Sequence, residues 1–140
     1  MPLDTLFLAA NAVALLGWIA LAIAPWRREA MVILARIAGT VLAVGYVVVF
    51  ATTAGQGPDL AFDYSLPGIA AFFDVPGYLL VGWVHYLAFD LWVGSWETEE
   101  AGRAGLPHSL LLPCLFLTFM LGPVGLLAFL VARAMVARRH

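Results

Sequence analysis

Four long apolar blocks, separated by short polar stretches, set the pattern of the chain. Leu6 to Ala24 carries no charge, Met31 to Phe50 carries only Arg36, Pro76 to Trp96 carries only Asp90 as a formal charge, and Ser109 to Ala132 carries none. Each block approaches or exceeds the ~20 residues that a helix needs to cross the hydrocarbon layer. They predict helices over 6–24, 30–52, 76–96 and 109–132. Pro25 stops the first, and Trp26 with Arg27 and Arg28 reads as an interfacial anchor. In the second, Ala35, Gly39 and Ala43 recur every fourth residue, which permits close helix approach. Pro76 suits the first turn of the third helix. Pro113, Gly122 and Pro123 predict a kink or local unwinding in the fourth. The connection from Asp59 to Asp74 is too short and too polar to span. It reads either as an amphipathic segment at the interface or as a surface loop.

Composition turns this pattern into a class. The 140 residues are 64% hydrophobic and 11% charged, against about 25% charged in a soluble domain. The expectation is an all-α integral membrane protein, a single domain of four transmembrane helices in a small bundle. No basic residue precedes the first block and two arginines follow it, which suits a retained helix better than a cleaved signal. Cys114, the only cysteine, allows no disulfide or thiolate cluster within one chain and reads as a packing residue. No basic cluster with interleaved aromatics speaks for nucleic acid. The partners expected are membrane lipids and a lipid-soluble small molecule, with a homo-oligomer left open. Four spans would put both chain ends on one side. Arg27, Arg28, Arg36 and Arg103 would then oppose Arg133, Arg138 and Arg139, four against three, which leaves the orientation undecided.

Candidate chemistry gathers in the third block. His85 and Asp90 sit in a segment otherwise fit for hydrocarbon, where ionisable groups are expensive. Trp83, Tyr86, Phe89, Trp92 and Trp96 surround them. An apolar cleft with aromatic walls and few polar groups is what a lipid-soluble ligand needs. At ~100° per residue, His85 and Asp90 point about 140° apart and cannot chelate a metal as a helical pair. Counted inward from the 97–108 surface, Arg36 and Asp90 match in depth, which predicts an ion pair between the second and third helices. Asn11 reaches nearly the depth of His85 from the other surface, so a polar contact there is expected. The plainer alternative stands beside this reading: a structural ion pair, a packing histidine, lipid-facing tryptophans, and wetted Glu97, Arg103 and His108.

The run Gly82-Trp83-Val84-His85-Tyr86-Leu87-Ala88-Phe89-Asp90-Leu91-Trp92-Val93-Gly94-Ser95-Trp96-Glu97 resembles a signature of the abscisic-acid-deficient-4-like family of membrane proteins. Pro107-His108, with Leu110 through Gly125, resembles its second signature, at a matching spacing. Plant members are required for forming neoxanthin from violaxanthin in plastid membranes. The resemblance implies a carotenoid-related protein whose four helices take up almost the whole chain. Without a plastid transit segment, the expected location is a cell membrane, the bacterial cytoplasmic membrane in particular. His85, Asp90, Glu97, His108 and Pro113 are the matching positions, and the resemblance attaches no catalytic role to them.

Opening an epoxide to an allenic alcohol is an isomerisation. It needs an acid near the oxygen and a base for the departing proton, and no redox cofactor. Asp90 is the expected acid and His85 the expected base, with Glu97 and His108 as further catalytic candidates. Asn11, Trp83, Tyr86, Phe89, Trp92 and Trp96 are the expected substrate contacts. No cofactor and no metal site are predicted. The runner-up chemistry is an iron-dependent polyene oxygenase drawing on His85, His108, Asp90 and Glu97, with Asn11 marginal. Only three histidines exist, including His140, so a four-histidine iron centre cannot form in one chain, although a mixed histidine–carboxylate site can. A non-catalytic carotenoid-binding or assembly protein is the alternative of a different class.

Overall fold

A computed structural model describes residues 2–55 and 65–138. The expectations for residues 59–64, Arg139 and His140 lie outside the described residues. The chain forms α1 (Leu3–Ala22), a 3-10 turn (Ala24–Trp26), α2 (Arg28–Thr53), α3 (Leu66–Phe73), α4 (Pro76–Arg103), α5 (His108–Leu121) and α6 (Pro123–Ala137). The described residues contain no strand. This is an all-α fold. α1 and α2 are each long and apolar enough to cross a membrane, and α3 with α4 forms a third candidate bent by 101°.

α4 is the organising helix. α2 runs antiparallel to it along its length: Thr53 meets Gly77, Phe50 meets Tyr78, Gly39 lies under Trp92, and Arg28 lies beside Gly102. Ala35 and Gly39 let the two backbones close up, as the four-residue spacing predicts, whereas Ala43 faces outward. α1 runs parallel to α4. Phe7 packs on Trp83 near one end, and Trp18 sits over Gly94 further along. The core between them is built from Ala14, Leu21, Val32, Leu42, Val84, Leu87 and Leu91. α3 begins at Ser65, whose hydroxyl caps it by accepting from the Gly68 N–H at 3.2 Å. It lies across the end of the bundle, stacking Phe72 on Tyr78 with ring centres 4.1 Å apart.

The fourth expected span is corrected. Residues 109–132 do not form one crossing helix. The chain turns at Gly122, and α6 runs back along α4. Thr118 meets Glu97 and Gly122 meets Asp90 on the inward path. Leu126, Phe129 and Arg133 then meet Val93, Trp96 and Glu100 on the outward path. Gly122 takes φ 47° and ψ −95°, a conformation closed to residues with a side chain at low cost. Its N–H closes α5 on Thr118 and its carbonyl opens α6 to Leu126. Pro123 occupies the first position of α6, where a missing N–H costs nothing. Gly125 lies against the Thr118 backbone so closely that no side chain fits between the two arms. The two arms, of 14 and 15 residues, are only about 21–23 Å long at 1.5 Å per residue.

One consequence overturns a second expectation. Leu3 and Ala137 lie at opposite ends of the bundle rather than at the same end, because α5 and α6 both open toward the Arg103 end of α4.

Candidate functional site

α4 presents different chemistry to each neighbour. Toward α2 it turns His85 and Trp92. His85 stacks on Phe89 with ring centres 4.5 Å apart and approaches Tyr46 at 5.8 Å. It is exposed on the bundle's outer face. Toward α1 it turns Trp83, whose indole N–H donates to Asn11 Oδ1 at 3.3 Å; the Asn11 amide in turn donates to the Phe7 carbonyl oxygen at 2.7 Å. The expected contact of Asn11 with α4 therefore exists, but its partner is Trp83 and not His85.

Toward the α5–α6 hairpin α4 turns Tyr86, Asp90 and Glu97. The Tyr86 hydroxyl stands beside the Asp90 carboxyl and donates to the Phe119 carbonyl oxygen at 2.9 Å. Asp90 faces the hairpin turn, and its Oδ2 is buried without a hydrogen-bond partner in the structure. Two turns further on, Glu97 is fully buried and accepts from the Thr118 hydroxyl at 3.0 and 3.1 Å. Both carboxyls thus sit under the hairpin, with no arginine bonded to either among the described residues.

The expected Arg36–Asp90 ion pair is absent. Arg36 instead bonds Glu99 at 2.6 Å, donates from Nε to Ser95 Oγ at 3.3 Å, and lies over Trp92. The reason is helix length. α4 continues to Arg103 rather than ending near Trp96, so the surface lies further out and Arg36 meets residues 95–99. Glu99 and Glu100 then form a half-buried network with Arg36, Arg103 and Arg133. The Arg36 bond, reinforced by the charges of Arg36 and Arg103, holds the Glu99 carboxyl below the usual glutamate range.

His108 sits at this same end, where its Nε2 lies 2.8 Å from the Ala22 carbonyl oxygen. Of the four catalytic candidates, Asp90 and Glu97 therefore share the hairpin face. His85 points to the opposite side and His108 clamps a helix end. Among the described residues no group of three histidine, cysteine, aspartate or glutamate side chains is placed to hold a metal.

An apolar cleft of about 470 Å³ opens between α4 and α6, lined by Phe89, Trp92, Val93, Trp96, Leu126 and Leu130. Three of the expected aromatic contacts, Phe89, Trp92 and Trp96, lie in it; Trp83 and Tyr86 do not. Leu126, one turn after Gly122, is its lining residue nearest the hairpin turn along the chain, and Asp90 does not line it. The residues that sequence reasoning missed are Ser95, Glu99, Glu100, Thr118 and Arg133. Thr118 carried a readable signal: it is a lone hydroxyl in the middle of an apolar block.

The sequence profile of the family described as ABA DEFICIENT 4-like matches residues 5–129. The chain belongs to that family. No curated protein and no solved structure matches it. The matched region takes in α1 from residue 5, α2, α3, α4, α5, the hairpin turn and the first seven of the fifteen residues of α6. Both buried carboxyls, and every residue of the cleft lining except Leu130, lie within the matched residues.

Proposed function

We propose that this membrane protein acts on a carotenoid or a related isoprenoid taken up from the bilayer, by proton transfer at Asp90 in an isomerisation. The observation that carries the reading is the placement of Asp90. A carboxyl with an unpartnered, buried oxygen lies beside Tyr86 and against the hairpin turn at Gly122, on the same helix as the shallow aromatic cleft but outside its lining. A polyene laid in the cleft would contact Phe89, Trp92 and Trp96, and its ring end would have to enter beneath the hairpin turn to bring an oxygen to Asp90. The isomerisation moves a proton and needs no net electron transfer: Asp90 would give its proton to the oxygen, and the carboxylate so formed would take the proton released from carbon. Tyr86 is the neighbouring hydroxyl that would orient the carboxyl. His85, on the other face of α4, is no longer the expected base.

The experiment supplies a panel of carotenes and epoxycarotenoids to membranes holding the protein, followed by chromatography. A new isomer that disappears with Asp90→Asn, at equal protein level, supports the reading. No product across the panel from folded protein overturns it.

A second reading, a non-catalytic carotenoid-binding or assembly protein, is favoured by one observation. His85 and His108 do not converge on Asp90. It expects pigment to co-purify unchanged with both the parent protein and Asp90→Asn.

A further inference from the structure

We infer that the chain crosses its membrane three times, with α5–α6 as a re-entrant hairpin, and that the end bearing the arginines is held against the anionic headgroups of the cytoplasmic leaflet. The inference is independent of the polyene reading.

Crossing number follows from length and pairing. α1 and α2 have 20 and 26 residues, or about 30 and 39 Å of helix, enough for a hydrocarbon layer of about 30 Å. α4 has 28 residues and pairs with α2 from Thr53–Gly77 to Arg28–Gly102, so it crosses wherever α2 does. Neither arm of the hairpin reaches that length, and Arg133 on the returning arm bonds Glu100 at the end where α5 began. Backbone that reverses at membrane depth is tolerated where protein covers it. Here Gly122 is buried against Asp90, and its N–H and carbonyl are both used in helix bonds. From Asp90 to Arg103 is about 20 Å along the α4 axis, which places the turn well inside the layer.

Orientation follows from charge. The hairpin brings Arg133 and Arg138 to the end that already holds Arg27, Arg28, Arg36 and Arg103. Every described arginine therefore lies at one end, and the chain has no lysine. At the other end the described charged groups are Asp4 and Asp74. Glu99 and Glu100 are occupied by Arg36, Arg103 and Arg133, whereas among the described residues Arg27, Arg28 and Arg138 bond no acid, Glu29 beside them included. Trp26, 88% exposed, stands beside the first two of these as an interfacial ring. Arginines next to a membrane crossing favour the cytoplasmic side and are attracted to its anionic surface. The four-against-three balance of a four-span chain becomes an asymmetry of a single sign.

The test uses Cys114→Ser as a cysteine-free background, with Leu3→Cys, Ser109→Cys or Ala137→Cys added singly in the full chain. Bacterial spheroplasts and their lysates are treated with a membrane-impermeant maleimide. Leu3→Cys should label in intact spheroplasts, and Ser109→Cys and Ala137→Cys only after lysis. Labelling of Ala137→Cys from the same side as Leu3→Cys would overturn the re-entrant hairpin. The fully inverted pattern would overturn the orientation. A second variant reads the arginines: Arg27→Glu, Arg28→Glu and Arg138→Glu together should give mixed orientation, with Leu3→Cys labelled partly from each side. Unchanged single-sided labelling in that variant would overturn the anchoring by anionic lipid.

Discussion

Arg36 and Glu99 meet at 2.6 Å across α2 and α4, with the Trp92 ring on one side and Ser95 beneath. The pair holds the surface end of α2 against α4 and leaves Asp90, deeper in the bundle, with no cation bonded to it among the described residues. The two functions that the sequence seemed to join in one residue pair are thereby separated. Fastening is done at 99 and the candidate chemistry lies at 90.

The pair sets a pH dependence. Glu99 is held below its ordinary range by the Arg36 bond, so its contribution is present above the unfolded glutamate value of about 4.3 and is lost as pH falls through the folded value. Glu99→Gln should lower the melting temperature in detergent at pH 7, and the gap from the parent should close as the pH drops below about 4. The same gap should narrow in high salt, since the pair is open to water. A gap unchanged between pH 7 and pH 3 would contradict the assignment.

Glu97 and Thr118 make a different kind of link. Both are fully buried, and the hydroxyl is the one described donor to the carboxyl. Thr118→Val keeps the shape and strands the carboxyl, which should cost about 1–3 kcal/mol. Glu97→Gln keeps an acceptor for the hydroxyl and should cost less. Equal melting of Thr118→Val and the parent would show that the hydroxyl contributes nothing.

The hairpin itself is open to test at two glycines. Gly122→Ala demands a positive φ and sets a methyl about 3.0 Å from Asp90 Oδ1; a backbone strain of this kind costs about 1–3 kcal/mol. Gly125→Ala drives a methyl into the Thr118 backbone and should cost as much or more. Both should loosen α6 from α4, seen as faster proteolysis near Arg133. Gly45→Ala, where open space awaits the methyl, is the control and should leave both melting and proteolysis unchanged.

The sequence showed where helices run better than it showed how they return. The bounds of α1 and α2, the break at Gly122–Pro123 and the aromatic content of α4 were all readable from apolar runs and from glycine and proline. The reversal was not, because a 24-residue apolar block has the same hydropathy whether it crosses once or folds back. The deciding contact is tertiary: Gly125 against Thr118. The partner of Arg36 was misread for a related reason. Depth was counted from Glu97, whose charge suggested water, but that residue is buried by the very hairpin that hydropathy could not show. Asp90 and His85, by contrast, point to different faces as the helical period requires.

The last prediction concerns metal. Two of the four candidate ligands are committed elsewhere or out of reach. His108 Nε2 lies against the Ala22 carbonyl oxygen at the Arg103 end. His85 is eighteen residues before Arg103, about 27 Å along the helix axis, and it faces α2. Histidine bonds to iron or zinc run to about 2.0–2.1 Å, so the two rings cannot share an ion. Asp90 and Glu97, seven residues apart, are separated by about 10 Å of axis, and Glu97 is already held by Thr118. Protein purified without chelator should therefore carry no stoichiometric iron or zinc by elemental analysis, and a chelator should leave any isomerase activity intact. Activity should fall by about 10²–10⁴-fold in Asp90→Asn, as expected for loss of a general acid or base, and little in His85→Ala. One metal ion per chain, lost together with activity in both Asp90→Asn and His108→Ala, would require a hairpin arrangement different from this one.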